Sequence, residues 1–231
     1  MAGMDAHLLL YIFLPPLIYE SAYNVDEAHF KKIAIAAITY AIPGLLVNTV
    51  ITASVINTCY GEWQWFEAGL LGALLSATDP VAVVALLKQV GTGSLLDTLI
   101  EAESLLNDGS AMVVFTVLFD AVVKGSIDTS GGAIGEILIT FVRMAIGGPI
   151  FGYVMGIFFS WWIYQYFNAS EVEVSITLCA AYLTFFIAEY YLKLSGVLAV
   201  VACAMYMGNR GDTQVSAEVE VRRQAFFASP E

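Results

Sequence analysis

Apolar residues run through this chain in long blocks, with the polar positions gathered between them. Seven blocks approach the ~20 residues that a membrane-spanning helix needs: residues 8–23, 33–57, 66–88, 99–123, 134–165, 172–192 and 194–209. Prolines mark where these blocks should bend, because proline lacks the donor that an interior helical turn requires. Pro15 and Pro16 stand in the first block, where the helix should be kinked or begin at Pro15. Pro43-Gly44 interrupts the second block and Pro80 the third. The fifth block would be roughly 48 Å long at the helical rise. That exceeds a ~30 Å bilayer core, so the helix should tilt or protrude, as helices joining two bundles do. The pattern predicts an all-α polytopic membrane protein with about seven transmembrane helices over residues 1–209. A polar cytoplasmic segment, 210–231, is expected to lead to a further helix.

Composition agrees. The 231 residues are 59% hydrophobic and 13% charged, against about 25% charged in a soluble domain. The formal charge of −12 and the lack of a basic patch exclude nucleic acid as a partner and leave membrane lipid and cations. Cys59, Cys179 and Cys203 have no metal-site or disulfide spacing, and the two in spans should pack as small apolar groups. Lysine and arginine concentrate after the first, third, fifth and seventh blocks (Lys31, Lys32, Lys88, Arg210, Arg222, Arg223), which places those loops in the cytoplasm and the N-terminus outside. The Asn168-Ala169-Ser170 sequon then faces the cytoplasm, unused. Trp161, Trp162, Tyr164, Tyr166 and Phe167 form an interfacial belt.

Two carboxylates fall inside the apolar blocks, Asp79 in the third and Asp108 in the fourth. An ionisable group at the bilayer centre costs ~2.5–3.5 kcal/mol on insertion scales, and chains keep such groups where ions or protons use them. Pro80 cannot donate to the Ser76 carbonyl, and it pushes Asp79 away from helical geometry. Thr78-Asp79-Pro80 should therefore break the third helix in mid-membrane. Unwound backbone is tolerated there where it lines a cavity, and its carbonyls and the Thr78 hydroxyl are hard oxygen ligands for small alkali cations. On the fourth helix Ser104 and Asp108 share a face by four-residue spacing, with Glu101 one turn further. Glu103 and Asn107 form the adjacent pair. One carboxylate that binds either a partly dehydrated cation or a proton suffices for coupled exchange if access alternates. Asn107 adds no charge, which favours one-for-one electroneutral exchange. It could instead glue helices through hydrogen bonds, as could Ser104 and Thr78. Glu189 has Lys193 four residues on, a possible salt pair. The spacing Gly152-Xaa-Xaa-Xaa-Gly156 suits close helix packing and is a weak dimer signal.

These residues resemble the sodium/proton exchangers of the monovalent cation/proton antiporter-1 group. Three motifs carry the resemblance: Phe13-Leu14-Pro15-Pro16-Leu17-Ile18-Tyr19-Glu20, Leu75-Ser76-Ala77-Thr78-Asp79-Pro80-Val81-Ala82-Val83 and Glu103-Ser104-Leu105-Leu106-Asn107-Asp108. Leu194-Ser195-Gly196-Val197-Leu198-Ala199-Val200-Val201-Ala202-Cys203 adds to it, and the plant salt-tolerance and sperm-type branch is favoured. The resemblance implies an inverted-repeat antiporter fold, a homodimer, and transported Na⁺ (or K⁺) and H⁺ with no cofactor. It implies that Asp108 is the essential cation- and proton-binding carboxylate and Asn107 its partner. Thr78 and Asp79 would form the unwound crossing, with Na⁺ or K⁺ held at Asp108, Ser104 and Thr78. Glu103 would pair with an arginine on a later helix, and Glu20 would coordinate cation as in some relatives. Plasma membrane is expected in preference to an organelle.

Members of that group have about a dozen spans, so the chain is expected to be part of a longer exchanger. A non-transporting membrane fragment is the alternative. An intramembrane aspartyl protease using Asp79 and Asp108 is a remote third, since the flanks lack the Tyr-Asp and Gly-Xaa-Gly-Asp patterns of those enzymes. A secondary transporter rather than an enzyme is the expected class.

Overall fold

A computed structural model of the chain describes residues 11–25, 27–61, 63–78, 81–90, 94–123, 131–165 and 170–214. Helices account for all regular structure among them. In order these are α1 (Leu14–Tyr23), α2 (Glu27–Thr39), a π-helical turn (Tyr40–Gly44), α3 (Leu45–Cys59), α4 (Trp65–Ser76), α5 (Val81–Val90), α6 (Ser94–Val123), α7 (Gly131–Tyr164), α8 (Ser170–Phe186), a second π-helical stretch (Ile187–Leu192) and α9 (Gly196–Gln214). Four are long and apolar enough to cross a bilayer: His29–Cys59, Leu95–Val123, Leu138–Tyr164 and Val172–Leu192. Their outward side chains are themselves apolar. Ile35, Val47, Val50, Ile51 and Val55 are all exposed on α2–α3, a surface suited to lipid.

Pro15 and Pro43 act where expected. α1 begins with Leu14, and Pro15 falls in its first turn, where a missing N–H costs nothing. Pro43 lies inside the widened turn Tyr40–Gly44, which carries the helix past the absent hydrogen bond without ending it. The third block is split into α4 and α5. Ala77 is extended (φ −73°, ψ 109°) and Thr78 is non-helical, while Asp79 and Pro80 lie outside the described residues. The last helix runs past residue 209 to Gln214, so the chain stays helical through Arg210-Gly211-Asp212. Residues 8–10, the sequon's Asn168 and residues 215–231 lie outside the described residues.

The chain divides into two compact units, residues 28–147 and residues 1–27 with 148–231. The boundary falls inside α7, a helix of 34 residues that belongs to both. In the unit of residues 28–147, α3 and α4 form a hairpin. Asn57 Nδ2 donates to the Trp63 carbonyl at 2.9 Å and closes the turn. The Gln64 N–H donates to Glu67 Oε2 at 3.1 Å within a capping box that starts α4. Gly72 lets the two helices touch, since a Cβ there would lie 2.7 Å from the Thr49 carbonyl oxygen. Leu45, Ala73, Ala111 and Val114 make the core between α3, α4 and α6.

In the other unit α9 is central. Val197 to Val201, Cys203, Ala204 and Met207 are buried. α7 crosses α9 at glycines: a Cβ on Gly152 would run into the Ala199 carbonyl oxygen, and one on Gly156 would lie 3.1 Å from the Tyr206 ring. The glycine pair thus packs within the chain, which bears out close packing and takes this face from a second copy. Gly208 makes the same close approach to the Tyr23 carbonyl of α1, and Tyr19 Oη donates to Met207 Sδ at 3.3 Å. Cys203 is buried as expected, whereas Cys179 is exposed. Glu189 turns from its helix to accept the Gly196 N–H at 2.9 Å, capping α9 across a hairpin whose Lys193 adopts the left-handed conformation (φ 54°, ψ 43°).

Candidate functional site

Three buried polar side chains of residues 28–147, Thr49, Ser76 and Asn107, meet at the C-terminal end of α4. Helix-end carbonyls have no intrahelical partner and carry partial negative charge, which favours cations. Two neighbouring helices hold this end. From α6, Asn107 Nδ2 donates to the Ser76 carbonyl at 3.2 Å. From α3, Thr49 Oγ1 donates to Ser76 Oγ at 3.4 Å, and Ser76 Oγ donates to the Gly72 carbonyl at 2.7 Å. Thr49, Ser76 and Asn107 are all buried. Asn107 is thus one of two side chains, with Thr49, that anchor the end of α4. Its other amide atom, Oδ1, is buried with no hydrogen-bond partner, an acceptor whose desolvation is uncompensated by protein.

An open cleft of about 390 Å³ adjoins this end. One wall is a stripe of α6 at helical spacing, Leu99, Ile100, Glu103 and Asn107. The facing wall is the same kind of stripe on the second helix, Tyr40, Gly44, Leu45 and Asn48, which begins at the π-helical turn. Ser76 and Thr78 close the end. Thr78, Glu103, Asn48 and Asn107, which line the cleft, all carry hard oxygen atoms, although the Asn107 oxygen is itself buried.

The expected site residues fall in two groups. Thr78, Asn107 and Glu103 meet at the cleft. Asp108 and Ser104, on the next face of α6, are not among its described lining residues; Asp108 is exposed and Ser104 half-buried. The joint set of Asp108, Ser104 and Thr78 is therefore not gathered in this cleft. One residue step turns a helix by about 100°, and here it leaves Asn107 buried at the cleft and Asp108 exposed on the next face. Asp79 lies outside the described residues. Glu20 is half-buried on α1, in the other unit. Sequence reasoning passed over Tyr40, Asn48 and Thr49, and it named Ser76 only for the carbonyl that Pro80 leaves without a donor. Asn48 and Thr49 are lone polar residues in an apolar block, with only their distance from Pro43 as a signal. No cluster of metal-ligating side chains occurs among the described residues.

Helices broken at membrane depth beside a cleft with oxygen donors are an architecture that secondary transporters use. The sodium/hydrogen exchanger transmembrane family matches residues 2–230, and the chain belongs to that family, whose members are exchangers rather than enzymes. It is 36% identical over 220 residues to sodium/hydrogen exchanger 7 of Arabidopsis thaliana, covering 92% of this chain and 19% of that protein. It is 37% identical over 211 residues to the Na(+)/H(+) antiporter ApNhaP of Aphanothece halophytica, covering 91% and 39%. A low-affinity Na(+)/H(+) antiporter, NhaS1 of Synechocystis sp., matches at 37% over 209 residues, covering 90% and 38%. The chain thus spans from about a fifth to two-fifths of the length of these relatives. Plant exchangers stand among them, as the resemblance implied, beside cyanobacterial antiporters of equal identity.

Proposed function

We propose that this chain forms the ion-handling part of a secondary transporter that exchanges Na⁺ (or K⁺) for H⁺. Asp108 binds cation and proton alternately. The observation that supports this best is the Asn107 bond to the Ser76 carbonyl, which ties the residue beside Asp108 to the break at Thr78. A change of occupancy at Asp108 then acts on the broken helix through one residue. Thr78 and Asp79 would form the crossing, with Ser104 on the Asp108 face as a cation ligand. Glu103 would support the site from the cleft, and Glu20 is carried as a supporting acid by resemblance alone. Asn107 adds no charge beside Asp108, which favours exchange of one cation for one proton and hence no net charge movement. The relatives' names, Na(+)/H(+) antiporter and sodium/hydrogen exchanger, agree with Na⁺ as substrate. A homodimer in the plasma membrane completes the proposal.

The test is proton flux in proteoliposomes made with the full reading frame that contains this chain. Wild type should move protons when Na⁺ is added, at a rate indifferent to membrane potential, and Asp108→Asn should move none. Flux that survives Asp108→Asn would move the site elsewhere, with Asp79 and Glu20 next in line. Correct insertion without wild-type flux would favour the non-transporting reading.

A further inference from the structure

We infer that Thr49 is a positioning residue for the broken helix, setting how well the Thr78 region receives cation; this rests on the exchange reading above. The α2–α3 helix carries several hydroxyls that satisfy themselves locally. Thr39, Ser54 and Thr58 each donate to the carbonyl four residues back, at 2.7, 2.7 and 2.8 Å. Thr49 does otherwise, reaching across to Ser76 Oγ on α4. Its backbone takes part too, because the Thr49 carbonyl is the atom that Gly72 approaches too closely for any Cβ. Ser76 is the last residue of α4. Its carbonyl is held by Asn107 from one side and its hydroxyl by Thr49 from the other.

The next two residues leave the helix, and the second, Thr78, lines the cleft. The direction in which the chain leaves is therefore set at Ser76. With both anchors the Thr78 hydroxyl has one position. With one anchor it samples several, and the apparent affinity falls by the fraction of time it is well placed. Thr49→Val keeps the shape of the side chain and removes its donor. A single modest hydrogen bond corresponds to an affinity loss of about 2- to 10-fold.

The experiment measures two things on one preparation of the full reading frame. The first is the KM for Na⁺ and the maximal rate of flux. The second is backbone hydrogen exchange of the peptide covering residues 72–84, which needs no transport. Thr49→Val should raise the KM by about 2- to 10-fold with little change in maximal rate. It should also speed exchange in that peptide relative to the rest of residues 28–147. Thr49→Ser, which keeps the donor, should match wild type in both, as should Ser54→Ala, which loses only an intrahelical bond. An unchanged KM and unchanged local exchange in Thr49→Val overturn the inference. So does faster exchange spread evenly over the unit at unchanged KM, which would make Thr49 a packing residue alone. Absence of wild-type flux instead strikes the exchange reading, and the local exchange result still decides whether Thr49 fixes the break.

Discussion

At the scale of single residues, the account turns on Asn107 and Asp108. They are consecutive on one helix, yet one is buried against the end of α4 and the other is exposed on the next face. Asn107→Ala leaves the Ser76 carbonyl buried without its donor. That should cost about 1–3 kcal/mol, read as a lowered thermal midpoint of the detergent-solubilised protein, whereas Ser104→Ala on the adjoining face should cost well under half of that. Equal losses in the two variants would deny Asn107 its anchoring role. The sequence marked Asn107 because it stands beside an intramembrane acid, and it left open that Asn107 glues helices through hydrogen bonds. It did not indicate which carbonyl, because the partner lies 31 residues away on another helix. Thr49 and its contact with the Ser76 hydroxyl were illegible for the same reason. A hydroxyl in an apolar block usually bonds its own helix, and only tertiary contact reveals one that does not.

At the scale of helices, small residues decide which surfaces meet. Gly152 puts α7 against the Ala199 carbonyl at a distance no side chain permits. Gly152→Ala should destabilise by about 3 kcal/mol or more, since two helices must separate. Gly135, on the same helix, has open space around its Cα. Gly135→Ala should stabilise by about 0.5–1 kcal/mol through helix propensity alone. Both are measured as thermal midpoints by fluorescence-detected gel filtration, and loss of stability in both would refute the assignment of close contact to Gly152. The helices were legible from block length, and proline positions located the start of α1, the widened turn at Pro43 and the break after Ser76. Less legible was whether a given glycine spacing serves a partner chain or the chain itself. The motif Gly152-Xaa-Xaa-Xaa-Gly156 suits either, and α9 takes it here because its own small residues, Ala199 and Cys203, lie opposite.

At the scale of the whole molecule, a long helix carries the chain from one unit to the other, and each unit holds part of the expected chemistry. Residues 28–147 carry the cleft, the helix break and Asp108, while Glu20 stands in the other unit. Carboxylates kept among apolar helices are the whole-chain signal that the sequence displays most openly, and membership of the exchanger family agrees with it. The way the site divides between two faces of α6 was not legible, because spacing along one helix does not say which face meets a neighbour. The central claim is that one carboxylate, Asp108, serves cation and proton by turns. It is tested most directly by Na⁺ binding to the purified full-length protein across a pH series, wild type against Asp108→Asn. The account predicts that the apparent Kd for Na⁺ weakens as pH falls, approaching a limit of roughly tenfold per pH unit, and that Asp108→Asn abolishes the saturable binding. Saturable binding in Asp108→Asn, or a wild-type Kd indifferent to pH, would contradict it.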